Sequence, residues 1–390
     1  MNRFCPKYRL TFSVCTLIQF RVLVLSICAL CVLCGELNAQ DFKTLKPGIE
    51  YAEVTKEISG LKVNINLLRL DLTKVRLDLR HAMDAVIGTE QTSSIAARHG
   101  AFAAINAGFF RLDNSVWAGD PAGTFMLDGE LLSEPEKGRI QLLINNRRDR
   151  TSVQFEHIDI SESVRFGKQS VQLTGINRER KKDDLVMYTP EFGKTTLTGN
   201  GGIEVVIVSG LVASITRDLG NSVIPPNGFV VSASGSFYGD LANAYGGASL
   251  ARIRRQWTGL PDPIGKDRST LDIVAGVPQL IKDGKIDITW EQEKATRSFV
   301  ETRHPRTAVA KLRDGKFLMI TVDGRTESSG GIGLQDLAEY LLSLGATDAM
   351  NLDGGGSSTM FVDGKVVNHP SDKEGERKVS DAILVTPRKK

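Results

Sequence analysis

The sequence predicts an α+β fold, strand-dominated, with mixed or antiparallel sheets and a few helices in a single large domain. Three observations carry this reading. Four Asp-Gly pairs, Asp128-Gly129, Asp283-Gly284, Asp314-Gly315 and Asp363-Gly364, each have apolar residues on both sides. Such pairs tolerate the positive φ angles of tight hairpins. Residues 61–80 alternate apolar and polar, and only the segment Leu334 to Leu344 shows a long helical stripe.

Taken in order, Leu61, Val63, Ile65 and Leu67, then Leu70, Leu72, Val75, Leu77 and Leu79, predict an antiparallel pair turning near Thr73-Lys74. Thr92 to Arg98 reads as one or two helical turns. Ala101 to Ile105 is a short buried strand that ends at Asn106-Ala107-Gly108-Phe109-Phe110. Ile203 to Val208 and Leu211 to Ile215 form a hairpin through Ser209-Gly210, and Phe229 to Ala233 adds a strand. Residues 241–270 give no clear pattern, and Ala251 to Trp257 reads as surface structure. Arg306 to Ala310 and Phe317 to Val322 are strands. The helix from Leu334 stops at Gly345, as glycine helix ends do. The strand 348–352 follows it, and Ile383 to Val385 closes the fold.

Residues 1–39 have the layout of a secretory signal peptide, with Arg3, Lys7 and Arg9 ahead of an apolar core at 22–34 and Ala39 as a cleavage point. That core is short for a bilayer span, so a membrane is expected as a partner only if the leader stays uncleaved. The domain is then 40–390, in a secreted, periplasmic or cell-envelope protein. All five cysteines (Cys5, Cys15, Cys28, Cys31, Cys34) lie in the leader, which excludes a disulfide framework or thiolate site from the remainder. Four of the 49 Lys/Arg and one of the 46 Asp/Glu also lie there, so the rest of the chain is balanced. Nucleic acid is not an expected partner.

The residues with the clearest chemistry are Asn351-Leu352-Asp353-Gly354-Gly355-Gly356-Ser357-Ser358. An apolar strand delivers a carboxylate to a loop of glycines and hydroxyls. Successive N–H groups in such a loop can form an anion nest. A carboxylate beside an anion cradle suits a substrate with a hydrolysable bond and a negative group. His304-Pro305-Arg306-Thr307 opens another strand. Arg306 offers a planar fork for phosphate oxygens, and His304 can move a proton near neutral pH. Asp323 ends an apolar strand before a polar loop, and Asn106 with Phe109 suits a sugar. Arg377 is a further candidate cation. There is no Walker loop, nucleotide fingerprint, Gly-x-Ser-x-Gly elbow or His-Glu-x-x-His helix.

Together, Asn106 to Phe110, His304 to Ala308, Val322 to Arg325 and Asn351 to Ser358 resemble the phosphodiester glycosidase family, over roughly residues 60–386. The resemblance implies hydrolytic removal of a sugar, N-acetylglucosamine-like, from a sugar-1-phosphodiester; in bacterial members it implies a link to exopolysaccharide. It implies Asp353, Asp323 and His304 as catalytic residues, the two carboxylates flanking the anomeric carbon. Arg306, Thr307, Arg377 and the loop Gly354, Gly355, Gly356, Ser357 and Ser358 would hold the phosphodiester. Asn106, Gly108 and Phe109 would meet the sugar. No cofactor is expected. Two alternatives stand beside this. One is a non-catalytic glycan-binding envelope protein. The other is a phosphodiesterase whose divalent cation sits on Asp323 and Asp353.

Overall fold

The computed structural model describes residues 41–247, 249–259 and 270–389. The expected signal peptide and all five cysteines lie outside the described residues. Phe42–Lys390 forms one compact unit, and its helices are few and short among many strands. The predicted α+β, strand-dominated class holds.

An eight-stranded sheet carries the site. Its strands run in the order Lys43–Lys46, Ile49–Ile58, Leu61–Leu70, Phe317–Val322, Arg306–Leu312, Ala346–Asn351, Gln279–Lys282 and Lys285–Ile286. Its central strands are buried on both faces, which explains apolar runs such as Phe-Leu-Met-Ile-Thr-Val without alternation. Leu68, Met319 and Met350 enter one core, shared with Leu79, Ile105 and Ile383. Ile65, Leu318 and Ile320 enter another, beneath Leu334, Leu337, Ala338 and Leu341 of the helix Leu334–Ser343. A five-stranded sheet lies across the first core, in the order Lys365–Val366, Met360–Val362, Ala103–Asn106, Asp381–Pro387 and Val75–His81.

All four Asp-Gly pairs join paired strands. Asp128, Asp283 and Asp363 take positive φ together with the glycine that follows, the backbone that favours this dipeptide. The helix ends before Gly345 at φ 88°.

Two expectations are corrected. Leu61–Leu70 and Val75–His81 do not pair: the first pairs with Ile49–Ile58 and Phe317–Val322, the second with Asp381–Pro387. The turn at Asp71–Lys74 is a corner between two sheets, with Leu68 and Leu70 before it and Val75, Leu77 and Leu79 after it in one shared core. Ala251–Thr258 is a regular strand, paired along its length with Asp159–Phe166. Its exposed arginines masked the pattern.

Candidate active site

The site lies where one edge of the eight-stranded sheet meets the neighbouring sheet. Arg306–Leu312 runs antiparallel to both its neighbours, with Arg306 opposite Val322 and Ala308 opposite Asn351. Asp323 and Asp353 therefore leave the same edge, on either side of the start of Arg306–Leu312. Two strand spacings separate their backbones, about 10 Å. From the other sheet come Asn106, Asp381 and His81, with Ala382 opposite Asn106 and Asp381 opposite His81.

Asn106 ties the two sheets together. Its Nδ2 donates to the Asp353 carbonyl at 2.7 Å; its Oδ1 accepts from Thr307 Oγ1 at 2.8 Å and from the Thr359 N–H at 3.1 Å. Asn106 and Thr307 are fully buried. Both were expected to touch substrate; here their side chains tie the two sheets together.

Asp353 is half-buried, and its Oδ1 accepts the Gly354 N–H at 2.9 Å. Burial of its carboxyl pushes the pKa up to about 6. The Ser357 hydroxyl, near but outside hydrogen-bonding geometry, the Gly354 N–H and the Arg377 charge pull it back, while Asp381 pushes the same way as burial. Asp381 is fully buried. Its Oδ1 accepts the Gly108 N–H at 2.6 Å, and Ser380 Oγ donates to Oδ2 at 2.5 Å. Burial raises its pKa, against the opposing charge of His81. Burial lowers His81 in turn, although both its ring nitrogens face carbonyls, Ala82 O and Gly119 O, each at 3.1 Å.

The second carboxylate that bears on Asp353 is thus Asp381, not Asp323. Asp323 is buried, and its carboxylate is taken up by the His369 N–H at 3.0 Å, His369 Nδ1 at 3.1 Å and Asn368 Nδ2 at 3.3 Å. Sequence reasoning missed Asp381 because it begins a strand instead of ending one beside glycines. The apolar run Ala382 to Val385 directly after it was the available signal.

The cationic side also differs from expectation. Arg306 is 2% exposed. Its Nη2 donates to Phe299 O and Thr302 O at 2.6 and 3.0 Å, and its Nε to Ile332 O at 3.4 Å. The guanidinium lies over the Phe299 ring, 4.8 Å from its centre. Burial and the Arg325 charge push its pKa down to about 10. Its fork is not free, because two of its three nitrogens already hold backbone carbonyls. His304 Nδ1 sits 3.1 Å from Arg325 Nη2. Burial, Arg306 and Arg325 lower its pKa, which suits a neutral ring accepting from Arg325. Arg325 was not predicted; it is exposed and packs over Gly355, where a Cβ would lie 3.3 Å from Nη2. Arg377 pairs with Asp372 at 2.7 and 3.0 Å and covers Gly356, where a Cβ would come 2.3 Å from Nη2. Phe109 meets Phe299 edge-on at 6.1 Å and stays partly exposed.

The glycine loop is not a row of free donors. Gly354 N–H bonds Asp353 and Gly355 N–H bonds Pro305 O, while Ser357 and Ser358 N–H close a 3-10 turn onto Gly354 O and Gly355 O. The expected anion nest is therefore mostly closed on itself. The hydroxyls of Ser358 and Thr359 are buried without a partner among the described residues. No cluster of three His, Cys, Asp or Glu side chains among the described residues could hold a metal ion. No described helix is long and apolar enough to cross a membrane.

Fold and site together define a strand-rich domain with a half-buried and a fully buried carboxylate at a junction of sheets, and arginines packed against the neighbouring glycine loop. Residues 201–386 match the family model described as phosphodiester glycosidase. N-acetylglucosamine-1-phosphodiester alpha-N-acetylglucosaminidase of Bos taurus is 32% identical over 184 residues, covering 41% of this chain and 35% of its own length. The chain thus spans about a third of that relative. A hypothetical protein from Synechocystis shares the fold at TM-score 0.74 and 23% identity, over 90% of this chain and 64% of its own. A Burkholderia pseudomallei protein provisionally described as exported superposes at TM-score 0.73 and 25% identity, over 84% and 75%. The matched region, a little under half of the chain, is thus similar to the phosphodiester glycosidase family.

Proposed function

We propose that this protein is a hydrolase that removes an N-acetylglucosamine-like sugar from a sugar-1-phosphodiester in a secreted or envelope glycan. The observation that carries the reading is Asp353, a carboxyl with a pKa of about 6 beside the buried Asp381. A carboxyl near the working pH can give and take a proton, which is what glycoside cleavage asks of an acid–base residue. In the reaction, water oxygen bonds to the anomeric carbon, the bond from that carbon to the phosphate oxygen breaks, and a phosphomonoester leaves. Its leaving oxygen is a weak base, so neutralising charge matters as much as protonation. Arg325, against Gly355, and Arg377, against Gly356 and paired with Asp372, supply that charge. Asp381 acts on Asp353 through its field, as a positioning residue. Asp323 and Arg306 shape the edge from within. No cofactor is required by this scheme. The leader carries the protein to the envelope or beyond, and a membrane is a partner only if the leader remains attached.

The test is product analysis by mass spectrometry, with UDP-N-acetylglucosamine and a panel of sugar-1-phosphodiesters. Free sugar with an intact phosphomonoester, absent in Asp353→Asn, supports the proposal. A sugar phosphate as product overturns it in favour of cleavage on the phosphate side. No turnover with retained glycan binding leaves a binding protein.

A further inference from the structure

We propose that the ribbon formed by Asp159–Phe166 and Ala251–Thr258 is a second binding site, away from the catalytic edge, for a glycan that carries phosphate groups.

The first observation is charge. Arg165 lies directly opposite Arg252 in the strand pairing, and Arg254 is two residues further on the same face. All three are exposed and line one groove of about 290 Å³ with Gly167 and Leu250. Like charges placed opposite each other on a sheet repel. Among the described residues none of the three pairs with a carboxylate; the Arg165 Nε only donates to Gly167 O at 2.8 Å, which fixes its guanidinium. The ribbon's other face contrasts: there Arg255 pairs with the buried Glu162 at 2.5 Å. Charge is therefore neutralised on one face and left open on the other. Strand geometry sets neighbouring guanidinium stems about 5–7 Å apart, a spacing over which one or two phosphates can be shared.

The second observation is a groove around the ribbon's free edge, toward the helix Ser236–Tyr245. Arg165 is flanked on its other side by Ser170 of the strand Gln169–Gln172. Ser170 lines a second groove, of about 520 Å³, with Gln169, Gln172, Asn243, Asp240 and the ring of Phe237. Amides, a carboxylate and an aromatic face are the groups that recognise hydroxyl-bearing rings. An arginine groove beside such a groove fits alternating phosphate and sugar. It does not fit a bare polyanion, which Asp240 would repel, nor an anionic lipid surface, which would find no continuous apolar contact there. The assignment of this polymer as substrate rests on the glycosidase reading; the binding itself does not.

The experiment uses the full chain, with calorimetry against a glycosylated poly(glycerol phosphate), dextran of similar length, and vesicles containing anionic phospholipid. The glycosylated polymer is expected to bind, and dextran and vesicles at least about tenfold more weakly, the worth of a charge-assisted contact. Arg165→Gln/Arg252→Gln/Arg254→Gln, all at exposed positions, should lose at least about tenfold in that binding, and Phe237→Ala, at the margin of the core, a smaller factor. Hydrolysis of a small sugar-1-phosphodiester should be unchanged in both. Equal binding by wild type and the triple variant, or tighter binding of vesicles than of polymer, overturns the proposal. Polymer binding that depends on the arginines in a protein inactive on every small substrate supports this site while rejecting the glycosidase reading.

Discussion

Replacing Asp353 by asparagine separates the electrostatics of the site from its shape. The carboxyl is raised from 3.8 to about 6 in the folded chain, chiefly by burial. Each pK unit is worth about 1.4 kcal/mol, so ionised Asp353 destabilises the fold by at most roughly 3 kcal/mol at pH 7. The residue is half-buried, so solvent screening reduces this to about 1–2 kcal/mol. The sign follows from proton uptake. Between the unfolded value near 4 and the folded value near 6, the folded state binds more protons, so stability falls as pH rises through that window. Asparagine keeps the size and can still accept the Gly354 N–H, but carries no charge. Asp353→Asn is therefore expected to be more stable than wild type by about 1–2 kcal/mol at pH 7 and equal to it near pH 4. Urea unfolding at both pH values measures this. Asp120 and Asp272, raised to about 7 and about 6 by burial, titrate in the same range but cancel in the difference. Activity should fall about 10²–10⁴-fold at both pH values. A variant that is less stable at pH 7, or a difference that does not change with pH, refutes the reasoning.

Arg377→Gln should move the limb of the pH–rate profile assigned to Asp353 to higher pH, since the Arg377 charge holds that pKa down. Stability should change by no more than about 1 kcal/mol, because the pair with Asp372 is partly exposed; an unmoved limb would separate Arg377 from the catalytic group. Asn106→Ala should cost roughly 3 kcal/mol in urea unfolding, since it strands buried partners on three sides. A cost under about 1 kcal/mol would mean that the sheets are not held at this point.

The sequence showed the fold where local backbone chemistry decides it. Asp-Gly pairs with positive φ made every hairpin they marked, and Leu334 to Ser343 buried the stripe its spacing announced. It did not show sheet order. Val63, Ile65 and Leu67 enter one core while Leu70, Val75, Leu77 and Leu79 enter the other, and alternation carries no record of the partner strand. The same limit governed the site. Asp353 was visible beside its glycines, whereas Asp381 reaches it only through pairing of Asp381–Pro387 with Ala103–Asn106. Arg306 has the composition of a phosphate ligand, yet the carbonyls of Phe299 and Thr302 in the short helical segment just before it, and of the more distant Ile332, occupy its fork.

Gly108 shows how far a residue's identity can be read once that pairing is known. The Asp353 N–H donates to Ala107 O at 2.9 Å, and the Gly108 N–H donates to Asp381 Oδ1 at 2.6 Å. Ala107 O and the Gly108 N–H belong to one peptide group, which is planar and trans. A single rigid plate thus carries the backbone of one carboxylate on one edge and the carboxylate of the other on the opposite edge. Two hydrogen bonds through this plane couple the Asp353 backbone to the Asp381 carboxylate. A Cβ at position 108 would lie 3.1 Å from Val274 and 3.3 Å from Asp381 Oδ2, so any side chain there presses on the plate from the Asp381 side. Gly108 thus packs against Asp381, whose charge adds to the burial that chiefly raises Asp353.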